Sequence, residues 1–228
     1  MLQLKPLRLF ALFVAGVFLF PFVMQLLFNL LYGNELLGGV STNVEAVCML
    51  IGYLLAYTAT VVYARDYFRF TLSNFFSKVS FRILFLSFLA GLLFTAAIVE
   101  VMILIEPPQD FGESTGEYLN GTVLSRAVLI LFTALLGPLV EEFVFRAYIF
   151  DALKQKYTFA TTALISSALF TLPHMPEYYS YWPAGLIIFS LGLLLAYFRK
   201  RHDSLLPCIV LHATYNSGLL LLFFIASA

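Results

Sequence analysis

The chain has 228 residues, 61% of them apolar and 11% charged, with a mean hydropathy of +0.93. Soluble domains are about 45–50% apolar and about 25% charged, so this composition excludes a soluble globular protein and indicates one dissolved in a bilayer. Thirteen Lys and Arg balance thirteen Asp and Glu, which leaves no excess of positive charge to bind nucleic acid.

Lys5 and Arg8 precede an uncharged run from Leu9 to Tyr32. That run exceeds the roughly 7–15 apolar residues of a signal peptide and reads as a first transmembrane helix. A second span is expected over 46–63. The segment 64–82 mixes Phe68, Phe70, Phe75 and Phe76 with Arg65, Arg69 and Lys78. It reads either as an interfacial helix or as a plain amphipathic connector. A third span, 83–105, carries Glu100 near one end, placed either at the interface or along a substrate path. Four more segments follow at 124–152, 158–174, 182–198 and 205–226. Backbone in lipid must be hydrogen-bonded internally, and none of these runs alternates as a barrel strand would. The expected fold is therefore all-α, a polytopic bundle of about seven transmembrane helices forming one membrane domain over 1–228. Cys48 and Cys208 lie in apolar segments and imply no disulfide framework. Gly192 and Ala196 are small enough to let helices approach closely.

Charge divides the connections into two sets. Segments 33–45, 106–123 and 175–181 contain acids and no Lys or Arg. The N-terminus and segments 64–82, 153–157 and 199–204 hold all the cations except Arg126 and Arg146. The positive-inside rule then puts the N-terminus in the cytoplasm and the C-terminus outside.

The fourth span contains Glu141, Glu142 and Arg146. Ionisable groups at that depth cost roughly 2.5–3.5 kcal/mol each and are functional candidates by default. Glu142 and Arg146 are four apart and share a helix face, while Glu141 points about 100° away. The fifth span ends in Phe170-Thr171-Leu172-Pro173-His174, where Pro173 removes a backbone donor beside the histidine. The last span puts His212 and Asn216 on one face. Counting 1.5 Å per residue from the basic edge places Glu141 at a depth of about 20 Å, His174 at about 27 Å and His212 at about 14 Å.

This set suits amide hydrolysis. A carboxylate and an imidazole can orient and deprotonate water, and a second imidazole with an amide can stabilise an oxyanion. The motifs G-x-S-x-G and H-E-x-x-H are absent, and no Cys adjoins the acid or histidine motifs. Two other classes remain open on the residues alone: a non-catalytic membrane partner that binds a peptide or sensor protein, and a small transporter using the acid pair as a proton relay.

Glu141-Glu142-x-x-x-Arg146, Phe170-x-x-x-His174 and His212-x-x-x-Asn216, in that order on separate spans, resemble the CAAX protease and bacteriocin-processing family of intramembrane endopeptidases. The likeness covers a core at about 124–220. It implies that Glu141 activates water with help from His174, that His212 and Asn216 stabilise the oxyanion, and that Glu142 and Arg146 shape the site. Glu141, His174 and His212 would also suit a divalent metal such as zinc. The resemblance further implies a membrane-associated peptide or protein substrate, and a multi-pass protein of a prokaryotic plasma membrane.

Overall fold

A computed structural model describes residues 5–32, 42–68, 79–109, 111–176 and 178–226. The described residues form eight helices and no strand. They are α1 (Pro6–Tyr32), α2 (Thr42–Tyr63), α3 (Phe81–Leu104), a short α4 (Glu113–Asn120), a continuous α5 (Val123–Leu153), α6 (Phe159–Thr171), α7 (Trp182–His202) and α8 (Leu206–Ala226). This is the expected all-α bundle of an integral membrane protein.

One of the expected spans is shorter than the others. Six helices are long and apolar enough to cross a bilayer, and the expected fifth span is not among them. Segment 158–174 forms only the 13-residue α6, capped at its start by the Thr158 hydroxyl and closed by a 3₁₀ turn over Leu172–His174. Thirteen residues rise about 20 Å, short of a hydrocarbon core of about 30 Å. The interfacial reading of 64–82 falls largely on 69–78, outside the described residues; Arg65–Phe68 make one helical turn.

α1 packs on α2, α3 on α8 and α6 on α7, around the second half of α5. Every residue from Glu142 to Phe150 is buried. α3 and α8 run parallel and close: a Cβ on Gly91 would lie 2.7 Å from the Leu211 carbonyl oxygen, and one on Gly218 would lie 2.8 Å from the Thr95 hydroxyl. Gly192 does the same for α6 and α7, since its Cβ would meet that of Ser167 at 2.8 Å, as its small size led us to expect. Leu211 precedes His212, so the α3–α8 contact fixes the height of that histidine. We expect Gly91→Leu to lower stability by about 1–3 kcal/mol through overpacking, read by thermal denaturation in detergent. Leu93→Phe, on a 71% exposed face two residues away, should leave the melting temperature unchanged.

The two ends of the bundle differ in kind. At one end the N-terminus, the turn after α2 and the ends of α5 and α7 meet. The Lys5 amide donates to the Tyr148 hydroxyl, Tyr67 hydrogen-bonds Asp151, and Arg199 bridges Asp151 at 3.2 Å and Asp203 at 2.8 Å. At the other end, Thr122 before α5 meets Asn43 of α2, and the Tyr181 hydroxyl donates to the Ile105 carbonyl at 2.7 Å. The first end is the one whose connections carry the cations.

Candidate active site

α5 is not regular through the site. It adopts π-helical turns over Leu131–Leu136 and Phe143–Ile149, on either side of Gly137–Glu142. Gly137 and Pro138 account for the first. The Gly137 amide bonds the Phe132 carbonyl, five residues back, and Pro138 has no amide to offer. The Thr133 carbonyl thus loses both its α-helical and its π-helical donor. Asn216 on α8 supplies the replacement, donating from Nδ2 at 2.7 Å. Such local π turns are frequent at functional sites.

Glu142 and Arg146 pair as their spacing suggests, with Nε to Oε2 at 3.5 Å and both side chains fully buried. Arg146 also donates from Nη2 to the Gly192 carbonyl at 3.3 Å and lies 4.4 Å from the centre of the Phe170 ring. The other oxygen of Glu142 holds His212, with Oε1 to Nδ1 at 2.9 Å. An ionised carboxylate only accepts, so His212 carries a proton on Nδ1. This cross-helix bond was not foreseen from the sequence, because spacing along one helix identifies only Arg146 as a partner.

Glu141 points elsewhere, as its position on the helix requires. Its side chain is 18% exposed, against 0% for Glu142, and it projects into a cavity of about 470 Å³. Its Oε2 lies 3.8 Å from His212 Nε2. That gap is too long for a hydrogen bond and leaves the carboxylate untied. His174 and Asn216 line the same cavity, whereas Glu142 and Arg146 lie behind its wall. The 3₁₀ turn at Leu172–His174 tightens the backbone so that the Phe170 carbonyl receives His174 Nδ1 at 2.9 Å. A carbonyl cannot donate, so His174 is protonated on Nδ1 and offers the Nε2 lone pair. The Phe170 ring joins the two imidazoles, with centroids 5.2 Å from His174 and 5.6 Å from His212.

The residues 123–218 match the family model described as type II CAAX prenyl endopeptidase, Rce1-like. The match covers 96 of the 228 residues. It contains all three motifs and runs from the first turn of α5 into α8. No curated protein and no solved structure matches the chain. The matched segment supplies Glu141, Glu142, Arg146, His174, His212 and Asn216, while helices before it close the cavity through Phe13, Tyr57 and Ile98. Glu100 is exposed on α3 and does not line the cavity.

Among the described residues, no three His, Cys, Asp or Glu side chains gather closely enough to hold an ion. Each imidazole commits its Nδ1, one to a carbonyl and one to Glu142, which leaves Nε2 of each ring as the nitrogen that could ligate.

Asn216 has one amide hydrogen engaged and one to spare. One Nδ2 hydrogen holds the Thr133 carbonyl, and the same nitrogen carries a second. We expect Asn216→Ala to cut kcat by about 10²–10³, the usual worth of one oxyanion donor. It should also cost about 1–3 kcal/mol of stability, because the Thr133 carbonyl is left unpaired. A donor acting on the oxyanion alone would leave the melting temperature unmoved.

Proposed function

We propose that the protein is an intramembrane endopeptidase that hydrolyses a peptide bond of a membrane-associated peptide or protein with a water activated by Glu141. The observation that carries this reading is the division of the acid pair. Glu142 is locked between Arg146 and His212, while Glu141 stands untied in the cavity, 3.8 Å from an imidazole nitrogen. A purely structural pair would not leave one carboxylate free at this depth.

In the proposed sequence, water lies between Glu141 and His174 Nε2, the one nitrogen of that ring left to accept. Glu141 takes a proton from the water, whose oxygen then bonds to the substrate carbonyl carbon. The oxyanion that forms is met by the second Nδ2 hydrogen of Asn216, and by His212 when its Nε2 carries a proton. The carbon–nitrogen bond breaks, and Glu141 returns the proton to the leaving amine. Glu142 acts through His212, fixing which ring nitrogen faces the cavity. We place the protein in the plasma membrane of a prokaryote with its N-terminus in the cytoplasm, on the charge division of its connections.

The test compares peptide termini across the proteome of cells holding the native protein or Glu141→Gln. New termini present only with the native protein are expected; identical sets would return the chain to the class of non-catalytic binding partners. Exhaustive chelation should leave turnover of the purified protein intact. Loss of turnover restored by zinc would replace the metal-free sequence.

A further inference from the structure

The cavity has a direction. On α5 its walls run from Glu141 back to Val128, on α8 from His212 forward to Phe223, and on α2 from Tyr57 back to Met49. All three runs lead from the site toward the same end of the bundle. No lining residue on α5 follows Glu141, and none on α8 precedes His212. Beyond the site in the other direction lie the buried stretch Phe143–Phe150 and the Arg199–Asp151 contact. The site is thus the floor of a cavity that rises toward the end lacking Lys and Arg in its connections.

The charge at that end is negative. No Lys or Arg lines the cavity. Glu106 and Glu117 are exposed near its upper wall, and Glu45 lies close to Tyr118, which lines it. Burial, then the nearby Glu45, pushes the Tyr118 phenol up to about 12, so it stays neutral and contributes no charge. Arg126 is the single cation here among the described residues; it is half-buried on the first turn of α5, outside the lining. The lining itself is mostly aromatic and aliphatic, with Tyr53, Phe132 and Tyr178 among its rings.

We propose that the substrate reaches Glu141 from the face of the membrane opposite the cytoplasm, and that it is an apolar peptide segment flanked by basic residues. The inference rests on the endopeptidase reading above and adds the side of entry and the charge of the substrate. The first part follows from the cavity's direction and the positive-inside rule. The second follows from an apolar lining beneath a rim of carboxylates, which concentrates cations and repels anions.

Sidedness is tested first on the full-length protein in cells. Cys48 and Cys208 are buried and will not meet a membrane-impermeant maleimide. Gln109→Cys, at the cavity end, should label in intact cells; Lys156→Cys, at the opposite end, should label only after permeabilisation. The reverse pattern overturns the proposal. Purified protein is then given two fluorogenic peptides with one apolar core, flanked by lysines or by glutamates. Cleavage in detergent that is lost in Glu141→Gln upholds the endopeptidase reading independently of sidedness. In oriented liposomes, cleavage should occur only when the lysine-flanked peptide is on the Gln109 side. Cleavage from the Lys156 side alone sinks this inference and leaves that reading standing, whereas no cleavage of either peptide in detergent sinks both. Glu117→Lys should lower kcat/KM for the lysine-flanked peptide by roughly 3- to 10-fold and spare the glutamate-flanked one. Equal effects on the two peptides would remove the basic flank from the proposal.

Discussion

Glu141→Gln is expected to lower kcat by about 10²–10⁴, the usual worth of a positioned general base, and to leave the fold intact. Glutamine keeps the length and shape of the side chain but cannot take a proton from water. Nothing else in the site depends on this carboxylate. Its nearest ionisable neighbour, His212 Nε2, is 3.8 Å away, and the side chain already meets the cavity. The melting temperature should therefore stay within the scatter of an ordinary exposed substitution, about 0.5 kcal/mol either way. His174→Ala should be similarly severe, since its Nε2, left free because Nδ1 bonds the Phe170 carbonyl, is the second group proposed to hold the water. Steady-state cleavage and a thermal melt on the same preparation check both effects. A Glu141→Gln protein that cuts at the native rate would discard Glu141 as the base, and a binding-only protein would tolerate the change in cells.

The helices and the charge division were legible because both are properties of composition. A run of apolar residues must satisfy its backbone internally, and cations stay on one side, so the six long helices were among the seven expected spans and the two ends were expected to differ. The length of α6 was not legible to the same reasoning. Hydropathy counts apolar residues up to His174, but the Thr158 cap and the turn at Pro173 set where the α-helix starts and stops. Depth counting sets His174 and Glu141 about 7 Å apart at a uniform 1.5 Å rise, and a cavity of about 470 Å³ is large enough to be lined by both.

Within the site, contacts along one helix were readable and contacts between helices were not. Glu142 and Arg146 follow from a spacing of four. The bonds from His212 to Glu142 and from Asn216 to Thr133 join α8 to α5 and require the fold. A sequence signal for the second did exist in the Gly137-Pro138 dipeptide. Inside an apolar helix it marks carbonyls that have lost their donors. The Asp151–Arg199 contact was missed because Arg199 sits in a run of basic residues that reads as a solvated helix end, although its side chain is only 9% exposed.

Arg146→Ala should be the most destabilising single change in the site. The substitution removes the partner of Glu142, the donor to the Gly192 carbonyl and the cation against Phe170, all in a fully buried setting. Stranding one member of a buried pair costs about 3–5 kcal/mol, mainly because the remaining charge stays desolvated. The stranded group here is Glu142, which also fixes His212, so activity should fall together with stability. The double variant Glu142→Gln with Arg146→Met separates the two effects. It leaves no buried charge, so most of the lost stability should return. The rate should stay low, since an uncharged amide no longer specifies a proton on His212 Nδ1. Melting temperature and cleavage, measured on the single and double variants together, distinguish an ion pair that only holds the helices from one that also sets the chemistry. Arg146→Ala protein that melts with the native protein and cuts at its rate would show that the pair does neither.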